Sequence, residues 1–490
     1  MKKNRNIFPC FIIITIVLLI LFCLYFYSNQ KSIYKVETKY FEGEVFSANE
    51  AANMLDAFSE NNVLISPLNI NSSLANLYMF ADNNTKKNLK RHFKQKPEEI
   101  ISSVNNKIKA LNNSELKNEN YYAFYNQLIT EFFNNNYDKL TINDLKNLNL
   151  ENKSKIITIA KKLDLLYLKL YEREEIDLEI IKKYKATEED LKITNTNLLL
   201  MLSNITQNHQ LFIIKPEVKN YHKLYLNNLN ISKEIQVPNN INISNIDFTK
   251  VEELTKTINK DIKDFTNNKL TYYISENALH DNEALYINSF YFNYTWQNNY
   301  TNNALKDNSF YFFSGTESIV RYMYSKETVY LENEYAKGFI KDFYTQNYSF
   351  VGILPKKKGD FKVSNLNLNS LLASAKSNTD CLVAIPEFSL TYEADLTLLL
   401  NNLKMAEFIS SKANYSKLTK ELTSLAYYRQ KVNLIISTTG TISNHSTENS
   451  LKTFTIDSSN KEVILNRPFA FLIINNETKD IIFIGKIQEI

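Results

Sequence analysis

The chain has 490 residues, of which 44% are hydrophobic and 22% charged, proportions that are ordinary for a globular protein and exclude a disordered chain. Its 57 basic and 53 acidic residues give a net charge of +4, and the basic residues are not clustered, so we expect no nucleic-acid partner. Two of the three cysteines, Cys10 and Cys23, lie in an apolar N-terminal segment, and Cys381 is alone in the rest of the chain. This excludes a disulfide framework within the domain.

The first predicted element is an apolar segment from Ile7 to Tyr27 that contains no charged residue. About 20 apolar residues are enough for a helix to cross a bilayer. Basic residues precede the segment, and it ends in Phe-Cys-Leu-Tyr-Phe-Tyr, without the small residues of a cleavage site. We therefore predict a basic cytoplasmic stub at 1–6, a transmembrane signal-anchor at 7–27 and a linker at 28–47. A cleaved signal peptide is the alternative, so the domain lies on the extracellular face of a membrane as a single-pass protein or is secreted.

The next part of the chain favours helices. No glycine occurs between Gly43 and Gly315, and no proline between Pro97 and Pro216, so few residues enforce a break. Within a stretch from about 99 to 190, apolar residues recur at helical spacing, at Ile156, Ile159, Leu163, Leu166, Tyr167 and Leu170. This predicts an amphipathic helix whose apolar stripe packs on the domain itself or, alternatively, docks a partner helix.

The second half contains short apolar runs that are rich in aromatic and β-branched residues, as is typical of strands. The predicted strands are Ala284–Phe292, Phe350–Leu354, Val432–Ile436 and Phe469–Ile474. The last of these is followed by Asn-Asn-Glu-Thr-Lys-Asp and the run Ile481–Ile484, which predicts a C-terminal hairpin. Because no repeat or flexible linker divides the chain, we predict one α+β domain over 48–490.

Motifs for enzymatic chemistry are absent from the sequence, including the nucleophile elbow, the zinc-binding His-Glu-x-x-His and the phosphate-binding loops. The five histidines have no carboxylate or cysteine at ligand spacing, and we expect most of them to be solvated on the surface: His92, His209, His222, His280 and His445. We therefore predict a protein that is not an enzyme and needs neither a metal ion nor a cofactor.

A series of specific segments occurs along the chain in a fixed order. Ser66-Pro67 opens an apolar helical segment, and the run Leu285–Trp296 combines Asn288 with the only tryptophan. Further segments follow at Tyr348–Pro355, Ile385–Leu390, Ala413–Ser416, Asn466–Ile473 and Phe483–Ile487. Together they resemble the motifs of the serpin family, the serine protease inhibitors, over almost the whole chain from about Ala48 to Ile490.

The resemblance implies a serpin-like α+β fold, with several helices around a large mixed central β-sheet, smaller sheets and an exposed reactive loop. The family pattern leaves a helical stretch at about 99–190 unmatched, which we interpret as an insertion. By the same resemblance Trp296 lies in the upper central sheet. A polar cluster beneath the point where the sheet opens would contain Ser66, Asn69, Asn288 and Gln430.

The bait loop implied by the resemblance begins after a strand at Lys431–Thr439 and runs to about Glu462. Its hinge comprises Gly440, Thr441, Ile442, Ser443, Asn444 and His445. In a serpin the protease attacks the loop, and the freed segment then inserts into the central sheet as an extra strand. Side chains of a strand alternate, so if Thr441 faces inward, Ser443, His445 and Thr447 do as well. His445 is bulky and polar, and its burial would require a hydrogen-bond partner.

The scissile bond has more than one candidate. Counting from Gly440 by the family's spacing gives Phe454-Thr455, which suits a protease with a chymotrypsin-like pocket. Counting back from Pro468 gives Asp457, and Lys452 is available to a trypsin-like protease. The expected partner of this monomeric domain is a serine protease or, alternatively, a cysteine protease. A serpin-fold protein that binds a partner without inhibiting anything is the second hypothesis.

Overall fold

The computed structural model describes residues 48–490 except 94–95, 117–118, 173–176, 209–216, 272, 280–282, 301–303, 345–346, 376–378, 422–424, 426, 442–460 and 477. The stub, signal-anchor and linker predicted at 1–47 lie outside this range. Across the described residues, none of the helices combines the length and the apolar character that a membrane span requires.

The first half of the chain is mainly helical, and the second half consists mainly of strands. The helices are α1 (Ala48–Leu55), α2 (Pro67–Phe80), α3 (Asn83–His92), α4 (Pro97–Leu116), α5 (Glu119–Asn134), α6 (Ile142–Asn147), α7 (Leu150–Glu172), α8 (Leu178–Lys183), α9 (Glu188–Leu191), α10 (Asn195–Asn208), α11 (Val251–Phe265), α12 (Leu368–Ala373) and α13 (Leu396–Asn402). The strands are β1 (Val63–Ile65), β2 (Glu217–Asn227), β3 (Asn242–Ile246), β4 (Ala284–Asn293), β5 (Leu305–Tyr311), β6 (Glu317–Glu327), β7 (Val329–Glu332), β8 (Ala336–Asp342), β9 (Tyr348–Pro355), β10 (Cys381–Pro386), β11 (Phe388–Asp395), β12 (Tyr427–Ile436), β13 (Glu462–Ile464), β14 (Phe469–Asn475) and β15 (Ile481–Ile487). The four strands predicted from apolar runs are confirmed within β4, β9, β12 and β14, and so is the C-terminal hairpin, β14 and β15.

The strands form three sheets. The central sheet has the order β11-β12-β4-β2-β3, a second has β1-β15-β14-β9-β8-β7, and a third has β13-β10-β6-β5. The central sheet is mixed, because β12 runs parallel to β4 and antiparallel to β11. The α+β fold class with a large mixed sheet and smaller sheets is thus confirmed.

The two faces of the central sheet pack against different helices. On β4 the even-numbered residues Tyr286, Phe290 and Phe292 belong to the main apolar core, as the two-residue period of a strand requires. The odd-numbered Leu285 and Ile287 belong to a smaller core beneath α11. The main core also receives α2, which begins with Pro67 in the first turn, where its missing N–H costs nothing.

Helices α5 to α10, which we call the helical module (Glu119–Asn208), enclose an apolar core of their own. The predicted stripe lies in it: Ile156, Ile159, Leu163 and Leu166 are buried, and Tyr167 is partly buried. The side chain of Leu170 lies outside the described part. The stripe therefore packs on the chain's own helices. By contrast, α4 contributes to the main core, through Ile100, Ile101 and Val104.

Candidate functional site: the mouth of the central sheet

The central sheet has a break in its hydrogen-bond ladder between β4 and β12. The two strands pair in parallel only from Tyr427–Gln430 to Leu285–Asn288, although both strands are described over their whole length. Just beyond, Ser289 Oγ donates to the carbonyl of Lys431 at 2.8 Å, so a side chain occupies the position of a backbone partner. We call the unpaired upper half of this strand pair the mouth.

At the upper end of the mouth the chain after β12 folds back on itself. Ser437 N donates to Gly440 O at 2.8 Å, and Gly440 N donates to Ser437 O at 3.1 Å. Gly440 thereby forms antiparallel bridges to both Ser437 and Thr295, the second of which follows β4. The predicted strand at Lys431–Thr439 consequently ends earlier, at Ile436, because residues 437–440 form this turn.

The turn requires glycine at position 440. Gly440 has φ +117°, a conformation that other residues adopt only with strain. A Cβ atom there would approach the carbonyl oxygen of Tyr294 to 2.2 Å. The backbone of the hinge thus lies in direct contact with the upper end of β4.

Thr441 continues into the mouth. Its N–H donates to Tyr294 O at 2.9 Å, its Oγ1 accepts from Tyr294 N at 2.8 Å, and the residue is 4% exposed. Gly440 and Thr441 therefore lie at the upper end of the mouth, where Gly440 forms antiparallel bridges to the segments that follow β4 and β12. The remaining predicted hinge residues, Ile442, Ser443, Asn444 and His445, lie outside the described residues, as do Phe454, Thr455 and the alternative scissile positions Lys452 and Asp457.

Below the mouth, three of the predicted polar residues form one hydrogen-bonded group. Gln430 Oε1 accepts from Ser66 N at 2.8 Å, and Gln430 Nε2 donates to Ser66 O and to Asn69 Oδ1, at 3.2 and 3.0 Å. Asn69 Nδ2 donates to Ser289 O at 3.1 Å. The first turn of α2 is thereby tied to β12 and to β4 at the point where their ladder ends.

The fourth predicted residue, Asn288, lies in the same row without joining the group. It is opposite Gln430 on β12 and opposite His222 on β2. Neither its amide nor the two ring nitrogens of His222 have a hydrogen-bond partner among the described residues, although all of these atoms are buried. Such groups destabilise a core by about 1–3 kcal/mol each.

His222 is an exception to the expectation that most of the histidines are solvated on the surface. It is 2% exposed, and burial lowers the pKa of its imidazole to about 3, so the ring is neutral at physiological pH. Its even position on β2 directs it to the same face as Val218 and Leu224. That apolar alternation is the signal in the sequence that could have identified it as a core residue.

Trp296 also stabilises the turn at residues 437–440. It is buried and stacks on Phe343 with ring centroids 4.6 Å apart and an interplanar angle of 8°. Its Nε1 donates to Ser437 O at 2.8 Å, and its N–H donates to Thr439 O at 3.2 Å. Lys341, buried and paired with Glu327 at 2.8 Å, lies 5.5 Å from the indole. Trp296 was predicted in the upper central sheet, but it lies beyond the end of β4 at Asn293, where its two hydrogen bonds hold Ser437 and Thr439 in place.

The mouth presents the unpaired edges of two strands. Within the described part of the chain, no three His, Cys, Asp or Glu side chains are grouped to hold a metal ion. Burial raises the pKa of the Cys381 thiol to about 11, so it is not a nucleophile at neutral pH. The unpaired edges of β4 and β12 and the folded-back hinge are therefore the candidate functional features.

Comparison with known proteins agrees with this geometry. A model of the serpin family, described as serine protease inhibitor, matches residues 185–490. Plasminogen activator inhibitor 1 of Sus scrofa is 24% identical over 261 residues, which are 50% of this chain and 64% of the pig protein. The chain thus spans just under two thirds of the length of that relative.

Solved structures extend the similarity of the fold to nearly the whole chain. The native structure of tengpin, a thermophilic serpin, has a TM-score of 0.58 and 20% identity, covering 91% of this chain and 93% of tengpin. Thyroxine-binding globulin in complex with thyroxine has a TM-score of 0.55 and 16% identity, covering 90% and 97%. Since the family model matches more than half of its residues, this chain belongs to the serpin family and is not an enzyme.

Proposed function

We propose that this serpin inhibits a serine protease as a suicide substrate. The serine Oγ of the protease attacks the carbonyl carbon of Phe454, an ester forms, and the amine of Thr455 leaves with its proton. The freed segment that begins at Gly440 then inserts between β4 and β12 and carries the acylated protease with it. The observation that supports this most is that Gly440 already bridges antiparallel to both Thr295 and Ser437.

The driving force would come from the open ladder edges of the mouth. The upper halves of β4 and β12 lack each other as partners, and an inserted strand would pair with both. Each backbone hydrogen bond contributes about 1 kcal/mol net to stability. A full inserted strand would therefore stabilise the chain several times more than a single hydrogen bond does.

The bridge of Gly440 to Thr295 also defines the register of insertion. Continued along β4, it would bring Thr447 opposite Asn288, and the bridge to Ser437 would bring Thr447 opposite Gln430. The hydroxyl of Thr447 would then give the Asn288 amide a partner that it lacks now. Thr441 and Ser443 are small enough for the same face.

His445 is the residue that favours the second hypothesis, a serpin that binds a partner without inhibition. In the same register it would lie opposite Phe290 on β4 and Val432 on β12, both in the main core. An imidazole buried there without a partner opposes insertion. If insertion is slower than hydrolysis of the acyl-enzyme, the protease escapes and the loop is only cleaved.

The test is a denaturant-resistant complex. The full chain is incubated with chymotrypsin and, separately, with trypsin, and the products are separated in denaturant. We expect a covalent complex with chymotrypsin, together with a released fragment whose mass corresponds to 455–490. The variant Phe454→Ala should lose most of the complex with chymotrypsin and should leave cleavage at Lys452 by trypsin unchanged. Cleavage near Phe454 without any complex would support the binding hypothesis instead.

We further propose that residues 7–27 anchor this monomeric domain to the extracellular face of a membrane, and that the stretch at about 99–190, which contains most of the helical module, is an insertion in the serpin pattern. The apolar N-terminal segment supports the first point, and the separate core of the module supports the second. Detection of Met1–Tyr27 on the mature protein would support the anchor, whereas a mature N-terminus near Ser28 or later would indicate secretion.

A further inference from the structure

Tyr344 connects the helical module to the remainder of the described chain. It follows β8, is 4% exposed, and belongs to the apolar core of the module. Every other described member of that core lies between residues 121 and 205. Tyr125 and Tyr167 belong to the same core, and burial, together with the electrostatic influence of Tyr167, Tyr344 and Asp164, raises the pKa of Tyr125.

The backbone of the same segment is bonded to the mouth. Tyr344 N donates to Thr295 O at 2.8 Å, and Thr295 is the residue that bridges to Gly440. The preceding Phe343 bridges to Trp296 and stacks on its indole. One short segment therefore presents its side chain to the helical module and its backbone to the upper end of β4.

The helical module is also connected to the upper end of β4 through the sequence that follows it. Its last helix, α10, is followed in sequence by β2, whose first residue, Glu217, pairs with Asn293 at the upper end of β4. Thus both the covalent connection of the module and its packing contact lead to the residues that border the mouth.

Opening of the mouth must disturb this arrangement. Neighbouring strands lie about 4.8 Å apart, so β4 must move away from β12 by about one strand spacing before another strand can enter between them. Unless the module moves together with β4, such a movement either breaks the bond from Tyr344 to Thr295 or draws Tyr344 out of the module's core. We infer that the helical module acts as a brace: while Tyr344 is packed in it, the upper end of β4 is held in place, and loosening the module opens the mouth.

The brace is tested by hydrogen–deuterium exchange of the full chain. The informative amides are Tyr294 and Trp296 at the end of β4 and Thr441 in the hinge, because each donates a hydrogen bond across the mouth. The variant Tyr344→Ala removes the ring and keeps the backbone donor. We expect these amides to exchange at least about tenfold faster, which corresponds to ~1.4 kcal/mol, while amides of β14 and β15 remain unchanged.

Three further variants control the test. Tyr344→Phe retains the ring and should exchange like the unmodified chain. Phe132→Ala, fully buried in the module core, loosens the module itself and should reproduce the effect even if Tyr344→Ala fails to fold. Leu400→Ala removes a side chain that is buried in the main core, and it controls for general destabilisation. The mouth amides of this variant should exchange at their original rate. Unchanged exchange at the mouth in both Tyr344→Ala and Phe132→Ala would overturn the brace.

An effect of the brace on inhibition rests on the proposed function, and it is measured by a separate experiment. A synthetic peptide of residues 441–453 is added to the intact chain, and its uptake is followed as a gain in heat stability. Faster uptake by Tyr344→Ala supports both proposals. Faster exchange without any uptake by either protein supports the brace and contradicts strand insertion, so the two failures are distinguishable.

Discussion

At the scale of single residues, the row His222, Asn288 and Gln430 combines satisfied and unsatisfied polar groups in an otherwise apolar core. Gln430 holds three hydrogen bonds with the start of α2, whereas the ring of His222 has no partner among the described residues. The unsatisfied groups raise the free energy of this conformation relative to one that pairs them.

The buried imidazole makes stability depend on pH. The pKa of His222 in the folded chain is about 3, and that of a histidine in an unfolded chain is about 6.5. Between these values the unfolded state binds more protons, so His222 destabilises the fold progressively as pH falls from about 6.5 towards 3. We expect a loss of up to ~1.4 kcal/mol per pH unit from this residue, measured as the denaturation midpoint from pH 7 to 4.5.

The variant His222→Phe isolates the contribution, because all carboxylates remain in place. Its midpoint should decline less steeply with acid than that of the unmodified chain. Parallel curves for the two proteins would mean that His222 is not buried as a neutral ring.

The sequence identified Ser66, Asn69 and Gln430 as neighbours only through the resemblance to a family. Their contacts are separated by more than 360 residues along the chain, which no local pattern reports. The burial of His222 was not predicted because histidine has only an intermediate tendency to be buried, and the alternation of β2 had to be recognised first.

At the scale of elements, the turn from β12 into the hinge is what the sequence predicted least well. The apolar alternation of Val432–Ile436 was enough to identify the strand. The fold-back at Ser437–Gly440 depends instead on contacts with Tyr294 and Thr295, which are remote in sequence. The stripe of α7 was predictable for the opposite reason, since helical spacing is local.

The turn can be tested through its glycine. The variant Gly440→Ala is expected to destabilise the chain by about 1–3 kcal/mol and to increase exchange of the Thr441 amide, because its Cβ would collide with Tyr294 O. Gly359→Ala is a matched control: Gly359 also has a positive φ, of +101°, but nothing lies within 4 Å of its added Cβ. If both variants leave the Thr441 amide equally protected, the hinge is not folded into the mouth.

At the scale of the whole molecule, the open mouth, the unpaired side chains beneath it and the folded-back hinge are the features that support our proposal of strand insertion. The order of motifs in the sequence predicted the fold class, because each motif identifies one element of a known pattern. It could not predict that Tyr344 links the helical module to the upper end of β4, since Tyr344 lies far from the module in sequence.

Strand insertion is tested most directly by the melting temperature before and after cleavage of the loop within 442–460. An inserted strand adds on the order of 10 backbone hydrogen bonds at ~1 kcal/mol each. In a chain of this size each kcal/mol raises the melting temperature by about 1–2 °C. We therefore expect the cleaved chain to melt at least about 10 °C higher than the intact one. An equal or lower melting temperature after cleavage would contradict it.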